Sequence, residues 1–234
     1  MKLFARIGRA IGYALGALAA ALCLVQAWFF AHVVYWDRVN PDTTTFMAQH
    51  LAEARKRNAK VELKHQWVDY ARVSTPLKRA VIVAEDAKFI DHDGFDWDGI
   101  QRAIEKNQKR GKVVAGGSTI SQQLAKNLFL SGERSFARKI EEAIITLMLE
   151  AVMSKRRILE LYLNVAEWGD GVFGAEAAAR HYYGVNAASL DAEQAAQLAA
   201  MLPRPRFYDH NRGSRYLAQY TERILARMPS AQVP

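Results

Sequence analysis

A mainly α-helical domain carried behind one N-terminal membrane-spanning helix is what the sequence predicts, on three observations. First, no Asp, Glu, Lys or Arg occurs between Arg9 and Asp37, a stretch rich in Ala, Leu, Val, Phe and Trp and long enough to cross a bilayer. Second, apolar residues beyond it recur at helical spacing, in segments bounded by Ser, Thr, Gly and Pro. Third, 234 residues without an internal repeat or a low-complexity tract suit one sizeable core rather than two large catalytic domains.

The apolar stretch comes first. Lys2, Arg6 and Arg9 precede it, so the positive-inside bias makes residues 1–9 a cytoplasmic tail, 10–36 the anchor and 37–234 the extracytoplasmic domain. Ala17-Leu18-Ala19 resembles a signal-peptide cleavage site, but the apolar run continues to Tyr35, which favours a retained anchor. Trp28 and Trp36 suit the outer interface. The net charge is +8; without the three N-terminal cations about +5 remains on the exported part, which favours an anionic partner. Export excludes nucleic acid and leaves anionic, lipid-linked substrates. Cys23 stands alone in the chain, excluding an intrachain disulfide or a cysteine metal site.

Thr43 to Asn58 has helical spacing, and Val61, Leu63 and Trp67 suggest a short extended stretch. Ser74-Thr75-Pro76 opens a helix through Leu77, Ala80, Val81 and Ala84, placing Glu85 and Asp86 at its C-terminal end. The helix dipole disfavours carboxylates there, a local inconsistency typical of functional sites. Gly116-Gly117-Ser118 supplies a turn and an N-cap for a helix from Thr119 to Leu130. Ser135 caps the next, which is apolar nearly all round from Ala143 to Met153 and reads as a helix buried through the middle of the domain. Ser154 opens a helix through Leu163; glycines 169, 171 and 174 make a loop before the small-residue helix Ala175 to Arg180. Ser189 caps a helix to Leu202 that Pro203 and Pro205 end, and Ser214 to Met228 is a last amphipathic helix.

Two acids carry the chemistry. Glu85, with Asp86, Phe89 and His92 close behind, is placed to take a hydroxyl proton, although solvated acids at a helix end explain the same cluster. Glu142 follows Arg138 by one helical turn on the helix that turns apolar, so it is either half of a plain ion pair or a buried acid beside cations. Glu150, deeper in that helix, reads as one half of a buried ion pair. Lys126, Arg134, Arg138 and Lys139 form either a solvated basic face or, with helix N-terminal amides, an anion site for phosphate oxygens. No metal-ligand spacing is evident.

The order of these motifs resembles the peptidoglycan glycosyltransferases. Glu85-Asp86-Ala-Lys-Phe89-Ile-Asp-His92-Asp-Gly94 is similar to their first signature, and Gly116-Gly117-Ser118-Thr119-Ile-Ser-Gln122-Gln123-Leu-Ala-Lys126-Asn127 to the second. Arg138-Lys139-Ile-Glu-Glu142 resembles the third, Ile158-Leu159-Glu160-Leu-Tyr162-Leu163-Asn164 the fourth and Gly171-Val-Phe173-Gly174-Ala-Glu176 the fifth. The chain has no Ser-x-x-Lys motif and resembles the monofunctional members, so penicillin insensitivity is expected.

The resemblance implies a lysozyme-like helical head beside a smaller, mobile, membrane-proximal lobe, here around 95–114, with a glycan groove between them. It implies a single-pass protein of the bacterial inner membrane that polymerises lipid II into β-1,4 glycan strands and releases undecaprenyl diphosphate. In this scheme Glu85 is the base, and Glu142 orients the donor or the cations. Lys126, Arg134, Arg138 and Lys139 meet the diphosphate. Asp86, Phe89, His92, Ser118, Thr119, Gln122, Gln123 and Asn127 contact substrate. Any divalent cation, Mg or Mn, would act with the diphosphate rather than in a protein cage. Cell-wall synthesis or division proteins are the expected partners. The rivals are a lytic enzyme using the same cleft, against which the basic cluster speaks because a neutral leaving group needs no such neutralisation, and a non-catalytic membrane-tethered scaffold.

Overall fold

The computed structural model describes residues 2–56, 62–112, 116–133 and 135–234, with nothing to report of the side chains at 2, 3, 5 and 9. Among these residues the chain is mainly helical, with one small sheet. The expectations for Asn58, Val61, Val114 and Arg134 lie outside the described residues.

Helix α1 spans Lys2–Arg38 and contains a stretch, Arg6–Arg38, long and apolar enough to cross a membrane. Its outer end is part of the domain. Phe29 and Val33 are buried, Gln26 Nε2 donates to Glu141 Oε1 over 2.7 Å, and Arg157 donates through its guanidinium to the carbonyls of Trp36 and Val39. Trp28, Phe29 and Trp36 gather round the Phe129 ring. The helix runs on past residue 36 to Arg38, and its last three turns dock. The length between Arg9 and Gln26, at about 1.5 Å per residue, is roughly 26 Å, close to a hydrocarbon core.

Helix α2 (Thr45–Lys56) is capped by Thr44, whose Oγ1 accepts from Met47 N. Helix α3 (Thr75–Glu85) is capped by Ser74, with Thr75 as its first helical residue and Pro76 the second. Helix α4 (Trp97–Arg110) is the lobe helix; Asp96 caps it and Gly111, at φ 62°, ends it in the left-handed region where a side chain would be strained. Trp97 and Ile104 are exposed on it and Ala103 is buried.

Helix α5 (Ile120–Phe129) begins one residue later than expected. Thr119, not Ser118, is the N-cap, because Gln122 three residues on completes a capping box with it. Helix α6 (Phe136–Val152) is capped by Ser135 as expected, but it does not run through the middle. Ile145, Thr146 and Leu149 are buried, while Phe136, Ile140 and Leu147 are exposed. It is apolar all round because one face meets α5, another seats α1 and a third is left bare. More deeply buried are α5 and α7 (Lys155–Val165), the latter with Ile158, Leu159 and every residue from Leu161 to Val165 enclosed.

The glycine loop is a hairpin. Strands β2 (Glu167–Gly169) and β3 (Val172–Phe173) pair antiparallel, and β1 (Lys64–His65) adds parallel to β3, giving the order β1-β3-β2. Gly174 has φ 85°, and a Cβ there would stand 2.7 Å from the Asn164 carbonyl oxygen, so the turn into α8 (Ala175–Tyr183) requires glycine. Helix α9 (Ala192–Met201) is capped by Asp191 through a capping box with Gln194. Ser189 belongs to the preceding 3-10 turn. Pro205 opens a short helix, α10 (Pro205–His210), that the sequence reading missed by treating the prolines only as a stop. Helix α11 (Arg215–Arg227) matches expectation and packs with α3 and α9.

Candidate active site

Glu85 is the last residue of α3, a helix whose inner face, Leu77, Val81 and Ile82, anchors it in the core. Its Oε2 accepts a hydrogen bond of 2.7 Å from Gln123 Nε2 on α5. Its Oε1 is shielded from solvent and has no partner among the described residues. Gln123 is held in turn by the Tyr162 hydroxyl, which donates to its Oε1 over 3.0 Å. Tyr220 OH, from α11, donates to the Ala84 carbonyl and fastens the same helix end. Burial pushes the Glu85 carboxyl above its usual range; the Gln123 hydrogen bond and the Lys126 charge pull it down, and Asp86 adds to the rise.

Asp86, Phe89, His92, Thr119 and Gln122 form the frame behind this carboxylate. Asp86 is buried, accepting from His92 Nε2 over 2.9 Å and from the Ile120 backbone N–H over 3.0 Å, so it ties the end of α3 to the start of α5. Gly94 N donates to His92 Nδ1. Phe89 is fully enclosed, with Lys155 Nζ 4.9 Å from its ring centroid. Thr119 Oγ1 donates to the Gly94 carbonyl over 2.7 Å, and the Gln122 side chain accepts from Thr119 N. The hydrogen bonds of these residues are internal and brace the loop behind Glu85, while Asp86 and Thr119 also line the cavity beside it.

Glu142 is the second buried carboxylate. Arg138 Nη1 donates to its Oε2 over 2.7 Å, and Lys139 Nζ donates to its Oε1. Lys139 also reaches Ser118 Oγ at 3.4 Å, linking α6 to the loop before α5. Arg138 Nε is buried and unpartnered among the described residues. Lys126 lies electrostatically between the two acids: burial lowers its pKa, Glu142 and Glu85 raise it, and Arg138 and Lys139 oppose them. Glu150, on the next turns of α6, pairs with Lys155 at 2.8 Å and takes a hydrogen bond from Ser121, the ion pair the sequence suggested. Arg134 falls outside the described residues.

Two cavities flank the Glu85–Gln123 pair. One, of about 210 Å³, is lined by Gln123, Lys126, Asn127 and Tyr162 together with Phe46 and Pro203. The other, of about 140 Å³, lies between Glu85 and the lobe, with Asp96, Ser118 and Arg227 on its walls. Sequence reasoning missed Tyr162, Tyr220, Arg227 and Phe46. Tyr162 stood inside a quoted motif with no role assigned, and the others come from distant helices with no local signal. A shielded carboxylate oxygen next to a half-buried ammonium, with an arginine and a second lysine nearby, can accept a proton from a hydroxyl while cations hold an anionic group.

This arrangement, on a mainly helical fold behind an apolar N-terminal helix, coincides with a match of residues 51–229 to the family model described as Transglycosylase. The chain belongs to the transglycosylase family, a class of glycosyl-transferring enzymes. Its relatives carry one particular name, biosynthetic peptidoglycan transglycosylase. That of Dechloromonas aromatica is 60% identical over 228 residues, covering 97% of this chain and 99% of that protein. That of Methylobacillus flagellatus is 61% identical over 220 residues, covering 93% and 96%. That of Laribacter hongkongensis is 60% identical over 218 residues, covering 93% and 96%.

Proposed function

We propose that the chain is a peptidoglycan glycosyltransferase of cell-wall biosynthesis that polymerises lipid II into β-1,4 glycan strands. Glu85 takes the proton from the 4-hydroxyl of the acceptor N-acetylglucosamine. The freed oxygen attacks the anomeric carbon of the lipid-linked N-acetylmuramic acid with inversion, and undecaprenyl diphosphate leaves. The observation that carries this reading is the bare, shielded Oε1 of Glu85, whose companion oxygen is fixed by Gln123 within the field of Lys126. An acid with one oxygen held and the other unpartnered has a lone pair left for a general base to use.

Lys126, Arg138 and Lys139 neutralise the diphosphate as it departs. Glu142 holds the last two in place and touches no reacting atom. Ser118, Gln123 and Asn127 border the substrate path, and Asp86, Phe89, His92, Thr119 and Gln122 act by positioning the loop behind Glu85. The anchor, residues 10–36 of α1, crosses the inner membrane once, with the domain on its outer face and the last turns of the helix docked on that domain. The exposed Phe136, Ile140 and Leu147, on the helix that seats α1, suit a domain resting against lipid.

The test is to incubate the purified full-length protein with lipid II in detergent and resolve the products by length. Long polymer that vanishes in Glu85→Gln supports the reading. Short sugars released from pre-formed strands would identify the lytic alternative, and no product from either substrate would leave a scaffold.

A further inference from the structure

Away from the catalytic carboxylates, a second polar cluster joins α2 to the β2–β3 hairpin. His50, on α2, has a side chain only 5% exposed, yet neither ring nitrogen has a hydrogen-bond partner among the described residues. Buried imidazoles ordinarily satisfy both nitrogens. The nearest oxygens belong to two carboxylates: Glu167 Oε1 stands 3.5 Å from Nδ1 and Asp170 Oδ1 stands 3.8 Å from Nε2. Both separations are too long for good hydrogen bonds. The two oxygens face opposite ring nitrogens, and an ion can take only one of these. With one ligand atom from each side chain, all lie within 4.8 Å of one another, so a modest closing movement would bring them to the roughly 3.4 Å that separates tetrahedral zinc ligands at about 2.0–2.2 Å from the metal.

We infer that His50, Glu167 and Asp170 bind one divalent transition-metal ion, with zinc the best match to the donor set. One ligand atom from each of the three lies within 4.8 Å of the others. One imidazole with two carboxylates favours zinc over the all-oxygen shells of magnesium and calcium. Glu53, Glu167 and Asp170 outnumber Arg206 and Arg204, the two guanidinium groups at the site, so the local charge suits a cation. An open cavity of about 390 Å³, lined by His50, Glu53 and Glu167, gives the ion a route in from solvent. Arg206 now holds Glu167 Oε1 at 2.8 Å; on metal binding it turns to Glu53, already 3.5 Å away. The Asp170 side chain is half exposed and free to close on the ion.

The ion would fasten α2 to the hairpin. Glu167 and Phe46 also line the cavity beside Gln123 and Lys126, and Lys126 Nζ lies 5.7 Å from the Phe46 ring centroid, so occupancy would steady one wall of the cleft without supplying a reacting group.

Titration of tag-free, full-length protein in detergent with zinc chloride, followed by calorimetry and thermal unfolding, tests this directly. One ion per chain and a raised melting temperature are expected, and cobalt should show the intense visible bands of a four-coordinate site. Asp170→Asn should weaken binding at least about 10-fold and His50→Gln more than about 100-fold, since even the outer partners of metal ligands cost 10–100-fold. His32→Gln, on α1, should change nothing. Should His50→Gln fail to fold, Asp170→Asn decides, because its side chain is half exposed. Absence of saturable binding below millimolar zinc, or equal affinity in wild type and Asp170→Asn, overturns the inference. His50 would then be a structural histidine set between two acids. The readout is binding, so failure here leaves the polymerase reading untouched.

Discussion

Glu85 and Glu142 are two buried carboxylates facing the same lysine, and they have opposite surroundings. Glu142 has an arginine on one oxygen and a lysine on the other. Glu85 has a neutral amide on one oxygen and, among the described residues, no partner on the other. Burial raises the pKa of Glu85 because no cation is in contact to offset the lost hydration. A proton acceptor must keep a lone pair open, at a cost in stability. An organiser of cations is at its best when filled.

The largest expected effect breaks the first member of the pair. Glu85→Gln should lower polymerisation by at least about 10²–10⁴-fold, the range of a general base, and leave the protein as stable or more stable at neutral pH. The sign follows from linkage. The folded-state pKa lies above the ordinary glutamate value of about 4.5, so between those two values the native state binds more protons than the unfolded one, and stability falls as pH rises through that window. Glutamine removes the loss. Thermal unfolding of both proteins on either side of the window measures it, and a variant clearly less stable than wild type at neutral pH would contradict this account of Glu85.

Glu142→Gln should differ in sign on the second axis. Activity falls because Arg138 and Lys139 lose their shared anchor, and stability falls as well. The expected loss is about 2–3 kcal/mol, below the 3–5 kcal/mol of a fully buried pair, because the Lys139 side chain is 45% exposed. Denaturant unfolding should show a lower midpoint at unchanged slope. Unaltered stability would mean that the pair is as dispensable as an exposed one.

Arg138→Ala tests the cations rather than the acid. It should depress turnover by roughly 10²–10³-fold, the size of a lost charge-stabilising donor. The melting temperature should fall less than in Glu142→Gln, because Glu142 retains Lys139. Matching losses of fold and activity in the two variants would make Arg138 a structural partner only.

The contrast between the two acids was partly legible in the sequence. Glu85 was visible as a carboxylate at the wrong end of a helix, and Glu142 as one turn beyond Arg138, both local signals. The bareness of Glu85 Oε1 depends on Gln123, Tyr162 and Tyr220, which arrive from three other helices. Helix positions read well wherever Ser or Thr caps are strong, as at Ser74, Ser135 and Ser154. They slipped where a capping box outcompeted a nearby serine, at Thr119 and Asp191. The apolar girdle of α6 was misread because periodicity cannot tell burial in a core from contact with the docked end of α1 and a bare outer face. His50 and Glu167 stand too far apart in the chain for any spacing rule to join them.

The smallest expected effect concerns what holds Glu85 in register. Gln123 Nε2 donates to the charged form of Glu85 and so lowers its pKa. Gln123→Leu removes that donor, and the acidic limb of the activity profile should move to higher pH by about one unit, the size of a charge-assisted hydrogen bond. Tyr162→Phe keeps the donor but frees the far end of the amide, whose Oε1 the tyrosine hydroxyl now holds. Its limb should move the same way by less, with the rate at the plateau changed little. The decisive measurement is the pH dependence of kcat for the three proteins on lipid II. A Gln123→Leu limb that coincides with wild type would mean that the base is tuned by Lys126 alone, and the amide bridge would have no part in the proton transfer.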